Sequence, residues 1–187
     1  MNKKDTVVFD LDGTLLDTLE DLKNSVNYAM TQCGYPEHTL DEVRRYVGNG
    51  ILLLMQRAIP GGKDDPNFDK AFTLFKEHYG KHCNDTTKPY AGIMELLRTL
   101  KENNIKIAIV SNKADFAVKE LNAIYFKDLI PVAIGEKESE GIRKKPAPDT
   151  VIEALKQLGS TAENSVYIGD SDVDIETARN SGMDEIL

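Results

Sequence analysis

Two aspartates stand two positions apart where a short apolar run ends. Asp10 and Asp12 follow the apolar residues 7–9 and lead into Gly13 and Thr14. Two close carboxylates repel each other, so they need a cation between them or a shared proton. Gly13 permits a tight turn that a side chain would obstruct. The pattern Asp-x-Asp-Gly-Thr directly after an apolar run therefore indicates a site for chemistry rather than an ordinary turn.

Two further segments place polar side chains where an anion could bind. Ser111 and Asn112 follow the apolar run 105–110, and a hydroxyl with backbone N–H groups can hold a phosphate-like anion. A helix N-cap would use the same residue types. Lys145 precedes Pro146, which stiffens the backbone and fixes where the ammonium points. Taken alone, this segment would be interpreted as a solvated basic loop.

A third aspartate-rich segment follows the last clear apolar run. Asp170, Asp172 and Asp174 alternate there, and carboxylate oxygens are ligands that suit Mg²⁺. Alternating aspartates also begin calcium-binding loops. Such a loop requires Gly at its sixth position and Glu at its twelfth, where this chain has Ile175 and Ser181. The segment is therefore predicted to bind a metal, but not as a calcium loop.

The apolar runs before these residues predict buried strands at 6–9, 105–110, 131–134 and 165–168. Helical patterns lie between most of them, at 92–103, 115–123 and 148–158. Alternating strands and helices predict an α/β fold, with a Rossmann-like parallel sheet covered on both faces. Ligands bind such sheets at the carboxyl ends of the strands, which is where the polar residues fall.

The spacing between the first two segments predicts an inserted domain. Asp10 and Ser111 are 101 positions apart, whereas one strand-to-strand crossover takes about 30 residues. The surplus shows only helical patterns, including a capping box at Thr39–Glu42. The predicted organisation is a core formed by residues 1–15 and 87–187 and an all-helical cap at 16–86 that selects the substrate.

Composition narrows the classes of partner. The 187 residues carry 23 Lys and Arg against 31 Asp and Glu, a net charge of −8, which argues against nucleic acid because that affinity depends on neutralising phosphates. No apolar run approaches the roughly 20 residues of a membrane span. Cys33 and Cys83 make no disulfide framework. We therefore expect a cytoplasmic protein, monomeric or homodimeric, with a small-molecule phosphate ester as its partner and neither nucleic acid nor membrane.

In this order, the four segments resemble the signature of the haloacid dehalogenase (HAD) superfamily of aspartyl-phosphate phosphotransferases. Asp-x-Asp-Gly-Thr stands at Asp10–Thr14, a strand-end serine at Ser111, a lysine before proline at Lys145, and Gly-Asp with a further Asp at Gly169–Asp174. The resemblance covers nearly the whole chain. It implies a Rossmann-like core with a helical insert, called a C1 cap, between the first and second motifs.

The resemblance also implies roles for the core residues. Asp10 would be the nucleophile that forms an aspartyl-phosphate, and Asp12 would be the general acid and then the general base. Mg²⁺ would be held by Asp10, the backbone carbonyl of Asp12, and Asp170. Asp174 would orient Lys145 or lie just outside the metal ligands. The phosphoryl group would contact Thr14, Ser111, the backbone N–H of Asn112, and Lys145.

Asp12 favours phosphate esters over haloalkanoates, because an alkoxide leaving group needs a proton and a halide does not. Asp172 is expected to be solvated, since the family pattern does not require it.

The cap is expected to select the substrate. Residues 47–50 and 111–113 are similar to bacterial phosphoglycolate phosphatases, which makes phosphoglycolate the expected substrate. Gly48, Asn49 and Gly50 could present N–H groups to its carboxylate at a helix start, or they could simply connect two helices. The alternatives are a sugar phosphomutase of the β-phosphoglucomutase type and a non-enzymatic receiver-like phospho-switch.

Two other features lead to expectations. His78, His82 and Cys83 share a helix face, which is expected to be packed or solvated rather than to bind a transition metal. The sequence ends at Leu187, where HAD relatives usually continue through a strand and a closing helix. An exposed sheet edge there would favour association, so we expect this chain to be less soluble than one with that tail.

Overall fold

The computed structural model describes residues 4–187, so residues 1–3 of the predicted core lie outside the described part of the chain. It divides into two compact units. One unit is Asp17–Lys88, and the other is Pro89–Leu187 with the described residues up to Leu16. The sequence-based boundaries of the insert were 16 and 86.

The elements are named in chain order. They are β1 (Thr6–Phe9), β2 (Leu16–Asp17), α1 (Leu19–Gln32), α2 (Leu40–Tyr46), α3 (Ile51–Ala58), α4 (Phe68–His82), β3 (Lys88–Pro89), α5 (Ile93–Glu102), β4 (Lys106–Ala114), α6 (Asp115–Tyr125), β5 (Val132–Glu136), α7 (Asp149–Leu158), β6 (Ser165–Ile168), α8 (Asp172–Ser181) and β7 (Asp184–Ile186). Short 3₁₀ turns lie at Gly62–Asp64, Glu138–Glu140 and Ala162–Asn164.

The core unit contains a parallel sheet in the order β5-β4-β1-β6-β7. β1 is central and pairs with β4 on one side and with β6 on the other, so that Phe9 is level with Ile109 and Ile168. The predicted α/β fold with a parallel sheet is confirmed. Because the three central strands run in the same direction, the residues that follow them meet at one edge of the sheet.

Both faces of this sheet are covered, which explains why its strands are nearly continuous apolar runs. One face packs against α5 and α6 through a cluster that includes Phe9, Ile107, Ile109, Leu97 and Leu121. The opposite face packs against α7 and α8 through a cluster that includes Val8, Ala108, Tyr167, Val151 and Ala178.

The end of β4 differs from the prediction. The apolar run suggests that the strand stops before Ser111, but β4 continues to Ala114. Its pairing with β5 shifts register between Val110 and Ala114. The N-cap of α6 is Ala114, so Ser111 lies inside the strand and its interpretation as a helix N-cap is wrong.

The second unit is helical apart from its ends. Its helices α1–α4 enclose their own apolar core, which includes Val26, Met30, Val43, Met55 and Phe75. The capping box predicted at Thr39 is present: the Thr39 side chain accepts a hydrogen bond from the Glu42 backbone N–H, and the Glu42 carboxylate accepts one from the Thr39 backbone N–H. This reciprocal pair fixes the first turn of α2.

A buried carboxylate joins the two ends of this helical unit. Asp21 is 1% exposed and accepts hydrogen bonds from the backbone N–H of Thr86 at 3.0 Å and of Thr87 at 2.9 Å. The hydroxyls of Thr86 and Thr87 donate to it as well, at 2.6 and 2.8 Å. Burial acts to raise the pKa of Asp21, but these hydrogen bonds outweigh it and lower the pKa.

No helix within residues 4–187 is both long enough and apolar enough to cross a bilayer.

Candidate active site

A buried lysine connects two aspartates at the carboxyl edge of the sheet. Lys145 is 4% exposed, and its Nζ lies 2.6 Å from Asp10 Oδ1 and 2.7 Å from Asp174 Oδ1. Its interpretation as a solvated loop lysine is therefore wrong. Its neighbours Arg143 and Lys144 are the surface members of the basic run.

A buried tyrosine completes the surroundings of this lysine. The Tyr167 hydroxyl lies 3.1 Å from Lys145 Nζ and can donate to the carbonyl of Val110 at 3.2 Å or to Asp174 Oδ1 at 3.2 Å. An ammonium has three hydrogens to donate, and Asp10, Asp174 and Tyr167 supply three acceptors. The lysine head is therefore held at one position.

The two carboxylates that face Lys145 differ in their affinity for protons. Burial raises the pKa of Asp10 to about 7, opposed by the Lys145 charge and reinforced by the charge of Asp174. For Asp174 burial also acts upward, but Lys145 and hydrogen bonds from Ser171 and Tyr167 outweigh it and lower the pKa. The ammonium of Lys145 thus compensates the charge of Asp174 well and compensates that of Asp10 only in part.

The Asp174 carboxylate receives additional hydrogen bonds because the N-terminus of its own helix surrounds it. Its Oδ2 accepts hydrogen bonds from the backbone N–H of Asp170 at 3.3 Å, the backbone N–H of Ser171 at 3.2 Å and the Ser171 hydroxyl at 2.6 Å. Ser171 and Asp174 form a capping box at the start of α8. Asp174 therefore contacts Lys145 from a fixed position, whereas Asp172 on the same helix is exposed.

Asp12 is held separately from Asp10. Lys113 Nζ lies 2.9 Å from Asp12 Oδ1 and 3.1 Å from Asp12 Oδ2. The sequence offered two ways to relieve the repulsion between Asp10 and Asp12, a metal ion or a shared proton. The structure adds a third, because Asp10 and Asp12 contact different lysines, Lys145 and Lys113.

Asp170 approaches the backbone of the first motif. An added Cβ at Gly13 would lie 2.2 Å from Asp170 Oδ2, and the φ of Gly13 is +93°. Burial and then the charge of Asp174 raise the pKa of Asp170. A side chain at position 13 would displace this carboxylate, so glycine is required there both for conformation and for space.

The residues present fit a divalent cation. Asp10, Asp170 and Asp174 each bring a carboxylate oxygen within 4.8 Å of the others. Together with Lys145 they leave two uncompensated negative charges. Hard oxygen donors of this kind are what Mg²⁺ prefers.

The other predicted phosphate ligands lie near this cluster. Ser111 is buried and its Oγ accepts a hydrogen bond from the backbone N–H of Lys113 at 3.3 Å. The Asn112 side chain donates to the carbonyl of Lys145 at 3.1 Å, which ties the second motif to the third. The hydroxyl of Thr14 is buried and makes no hydrogen bond with the described residues.

The predicted cap residues belong to the helical unit. Gly48, Asn49 and Gly50 lie between α2 and α3, and Gly50 is the N-cap of α3. Gly48 and Gly50 adopt φ of +111° and +85°, a region that favours glycine. Their part in binding substrate stays a prediction.

The histidines of α4 form a stack of aromatic rings. The His78 ring lies between those of Tyr28 and His82, with ring centroids 4.3 Å away on each side, and its Nδ1 is 3.0 Å from the Ser25 hydroxyl. Within residues 4–187, one group of three or more side chains could hold a metal ion, and it is the acidic cluster of Asp10, Asp170 and Asp174 at the sheet edge. His78, His82 and Cys83 do not form one.

Two residues of the site were missed by the sequence analysis. Tyr167 could have been suspected because a tyrosine within a buried strand must find a partner for its hydroxyl. Lys113 was named only within the segment 111–113 that resembles phosphoglycolate phosphatases, without a role of its own, although it stands directly after Ser111 and Asn112. Neither position gave the charge or spacing pattern that identified the aspartates.

Comparisons with known proteins identify the family of this chain. A sequence profile of haloacid dehalogenase-like hydrolases matches residues 7–187. The phosphoglycolate phosphatase of Aquifex aeolicus is 33% identical over 185 residues, which cover 97% of this chain and 83% of that protein. That of Pseudomonas putida is 32% identical over 183 residues, and the match covers 95% of this chain but only 66% of the relative, just under two thirds of its length.

Comparison with solved structures agrees with the sequence matches. The crystal structure of a provisionally assigned phosphoglycolate phosphatase from Lactobacillus delbrueckii matches with a TM-score of 0.89 and 36% identity, covering 98% of this chain and 85% of that chain. The family profile spans both units and all four signature segments, so the resemblance in the sequence is confirmed. The chain belongs to the haloacid dehalogenase-like hydrolase family.

Proposed function

We propose that this chain hydrolyses small phosphomonoesters through an aspartyl-phosphate, with phosphoglycolate as the preferred substrate. The observation that carries the proposal is the contact of Lys145 Nζ with both Asp10 and Asp174, because it places a buried cation beside a carboxylate that can act as nucleophile. Relatives named phosphoglycolate phosphatase support the choice of substrate.

The reaction would proceed in two displacements. An oxygen of the Asp10 carboxylate attacks phosphorus, the ester P–O bond breaks, and Asp12 gives its proton to the leaving alkoxide. Asp12 then takes a proton from water, whose oxygen attacks phosphorus and breaks the bond to Asp10. The products are the alcohol and inorganic phosphate, and both aspartates return to their starting states.

Positive charge around the phosphoryl group would lower both barriers. Phosphoryl transfer asks a protein mainly for positioning and for charge neutralisation. Lys145 supplies one ammonium, and the hydroxyl of Ser111 with the backbone N–H of Asn112 would bind the remaining phosphoryl oxygens. Mg²⁺, when bound by the carboxylates of Asp10 and Asp170 and the backbone carbonyl of Asp12, would neutralise further charge on the phosphoryl group.

The loop Gly48–Gly50 is proposed to recognise the substrate carboxylate. Backbone N–H groups at the start of a helix bind anions, and this loop leads into α3. Replacing Gly48 with alanine should raise the KM for phosphoglycolate, because its φ of +111° disfavours a side chain. Ethyl phosphate, which lacks the carboxylate, is the comparison substrate. An equal rise in KM for both esters would assign the loop a purely structural role.

Phosphate release tests the proposed reaction. Purified protein is incubated with phosphoglycolate and ethyl phosphate, in Mg²⁺ and then in excess EDTA. We expect release with Mg²⁺, little with EDTA, and none from Asp10→Asn, while Asp172→Asn behaves as wild type because its side chain is exposed. Absence of phosphate release from every phosphomonoester tried would reject the proposal.

The same assay separates the alternatives. A phosphomutase would interconvert sugar phosphates without net release of phosphate. A receiver-like switch would accept one phosphoryl group per chain and would not turn over.

Cellular placement and assembly remain proposals. We propose a cytoplasmic enzyme, in line with Cys33 and Cys83 being unbridged, that acts as a monomer or homodimer. Size-exclusion chromatography with light scattering would decide the assembly state.

A further inference from the structure

We propose that Lys113 is a positioning residue for the general acid and base, holding the Asp12 carboxyl where it meets the ester oxygen and later the attacking water. The inference rests on the phosphatase function proposed above. It assigns to Lys113 a role separate from that of Lys145, which faces the nucleophile.

The contact is buried and involves both carboxylate oxygens. Lys113 Nζ lies 2.9 and 3.1 Å from the two oxygens of Asp12, and the two side chains are 3% and 17% exposed. A contact to both oxygens fixes the plane of the carboxyl as well as its position.

The backbone that carries Lys113 is itself fixed. It lies in the part of β4 where pairing with β5 shifts register, and irregular strand segments of this kind re-aim side chains beside active sites. An added Cβ at Gly135 of β5 would lie 2.6 Å from the Lys113 carbonyl oxygen and 2.4 Å from the Cα of Asp115. Glycine at 135 thus lets β4 pack tightly enough to direct Lys113 toward Asp12.

Positioning has a large effect on proton transfer. General acid catalysis contributes about 10²- to 10⁴-fold, and a displacement of about 1 Å can remove roughly 10²-fold of rate. A methionine at 113 keeps most of the apolar stem and removes the ammonium, so Asp12 is expected to leave its place. The effect should appear only where the leaving group needs a proton.

The test compares two small esters with different leaving groups. Ethyl phosphate releases an alkoxide that must be protonated, whereas acetyl phosphate releases a stable carboxylate. The quantity measured is kcat/KM, which reports the steps up to loss of the leaving group. We expect Lys113→Met to lose about 10²-fold on ethyl phosphate and to change little on acetyl phosphate. Lys113→Arg should recover part of the loss.

Controls separate positioning from other roles. Lys119→Met removes a lysine that pairs with Asp115 on the surface and should leave both values unchanged. If Lys113→Met lowers both substrates equally, Lys113 binds phosphate or supports the fold, and the proposal is wrong. If it lowers neither, the proposal is also wrong.

A second measurement does not depend on turnover. Crystal structures of wild type and Lys113→Met should show Asp12 ordered in the first and displaced or in several rotamers in the second. An unmoved Asp12 in the variant would overturn the proposal even if activity fell. If wild type releases phosphate from no ester, phosphoglycolate included, the phosphatase proposal fails, whereas the position of Asp12 in the two crystal structures still shows whether Lys113 holds that carboxyl in place. If Lys113→Met folds poorly, the double variant Lys113→Met, Asp12→Asn is compared with it. The double variant lacks the Asp12 charge that Lys113 compensates, so the difference in their free energies of unfolding shows how much of the activity loss comes from instability.

Discussion

The Asp170 carboxylate lies directly against the backbone of Gly13, where a Cβ would come within 2.2 Å of its Oδ2. The first and last signature segments are thereby in contact, although they are more than 150 positions apart in the sequence. The glycine of the first motif thus leaves room for the aspartate of the last.

Gly13→Ala should therefore impair metal binding more than folding. The substitution costs about 1 kcal/mol from its positive φ, and in addition it displaces Asp170. Isothermal titration with Mg²⁺ and phosphate release should both show the loss. Gly141→Ala is the matched control, because Gly141 has φ +79° and nothing within 4 Å of an added Cβ. Equal Mg²⁺ affinity in the two variants would contradict this reading of the contact.

The raised pKa of Asp10 predicts how stability depends on pH without metal. Its pKa of about 7 lies above the value of 3.8 for an unperturbed side chain. Between these pH values the folded state keeps a proton that the unfolded chain has released, so the free energy of unfolding falls as pH rises. With 1.36 kcal/mol per unit of pKa, the full range corresponds to on the order of 4 kcal/mol.

Asp10→Asn should remove this part of the pH dependence. Urea unfolding at pH 5 and pH 8 in EDTA is expected to show wild type losing stability relative to the variant as pH rises. Mg²⁺ should restore wild type at pH 8, because the cation compensates the ionised carboxylate. Parallel pH dependence of the two proteins in EDTA would argue against a buried, destabilised Asp10.

Asp174→Asn should destabilise the core strongly. An asparagine has one acceptor oxygen, so it cannot accept hydrogen bonds both from Lys145 and from the start of α8. Lys145 would also lose the buried negative charge of Asp174. Breaking a buried ion pair from one side costs roughly 3–5 kcal/mol, which urea unfolding would measure. Asp172→Asn, two positions earlier and exposed, should cost little. Comparable losses in both variants would mean that the α8 terminus, not the ion pair, determines the effect.

Asp21→Asn should destabilise the helical unit, because an amide cannot accept from all four donors of Thr86 and Thr87. The loss should be roughly 3 kcal/mol, since hydrogen bonds to charged groups contribute about 1.5–3 kcal/mol each. The lowered pKa of Asp21 means that its contribution is present above the unfolded pKa and is lost as pH falls through the folded pKa. Hydrogen exchange across α1 and α4 would report the change, with Asp69→Asn as an exposed control. Unchanged protection in Asp21→Asn would show that the threonines find other acceptors.

Sequence reasoning worked best where chemistry and spacing coincided. Asp10, Lys145 and Asp174 were identified from a strand-end aspartate, a lysine before proline and an aspartate-rich helix start, and the fold brings the three together. The strands around them were predictable because a doubly covered parallel sheet needs continuous apolar runs.

The sequence could not show which lysine meets which carboxylate. Lys113 lies in the last part of β4 and Lys145 in the connection between β5 and α7, and only the irregular end of β4 decides that Lys113 reaches Asp12. That irregularity depends on close packing against Gly135 in another strand, and a contact so remote in sequence leaves no local pattern. The continuation of β4 past Ser111 was hidden for the same reason, because polar residues at a strand end resemble the start of a loop.

The hydrogen bonds from Thr86 and Thr87 to Asp21 have a consequence for the ancestry of the molecule. Because Asp21 bonds to Thr86 and Thr87, the first and last segments of the insert lie close together. Domains whose two ends are close together tolerate insertion into another fold. We therefore expect the helical unit to tolerate exchange between residues 16 and 89 while the sheet keeps its sequence. A lineage could in this way acquire new substrates by replacing the helical unit while inheriting its phosphoryl-transfer centre intact.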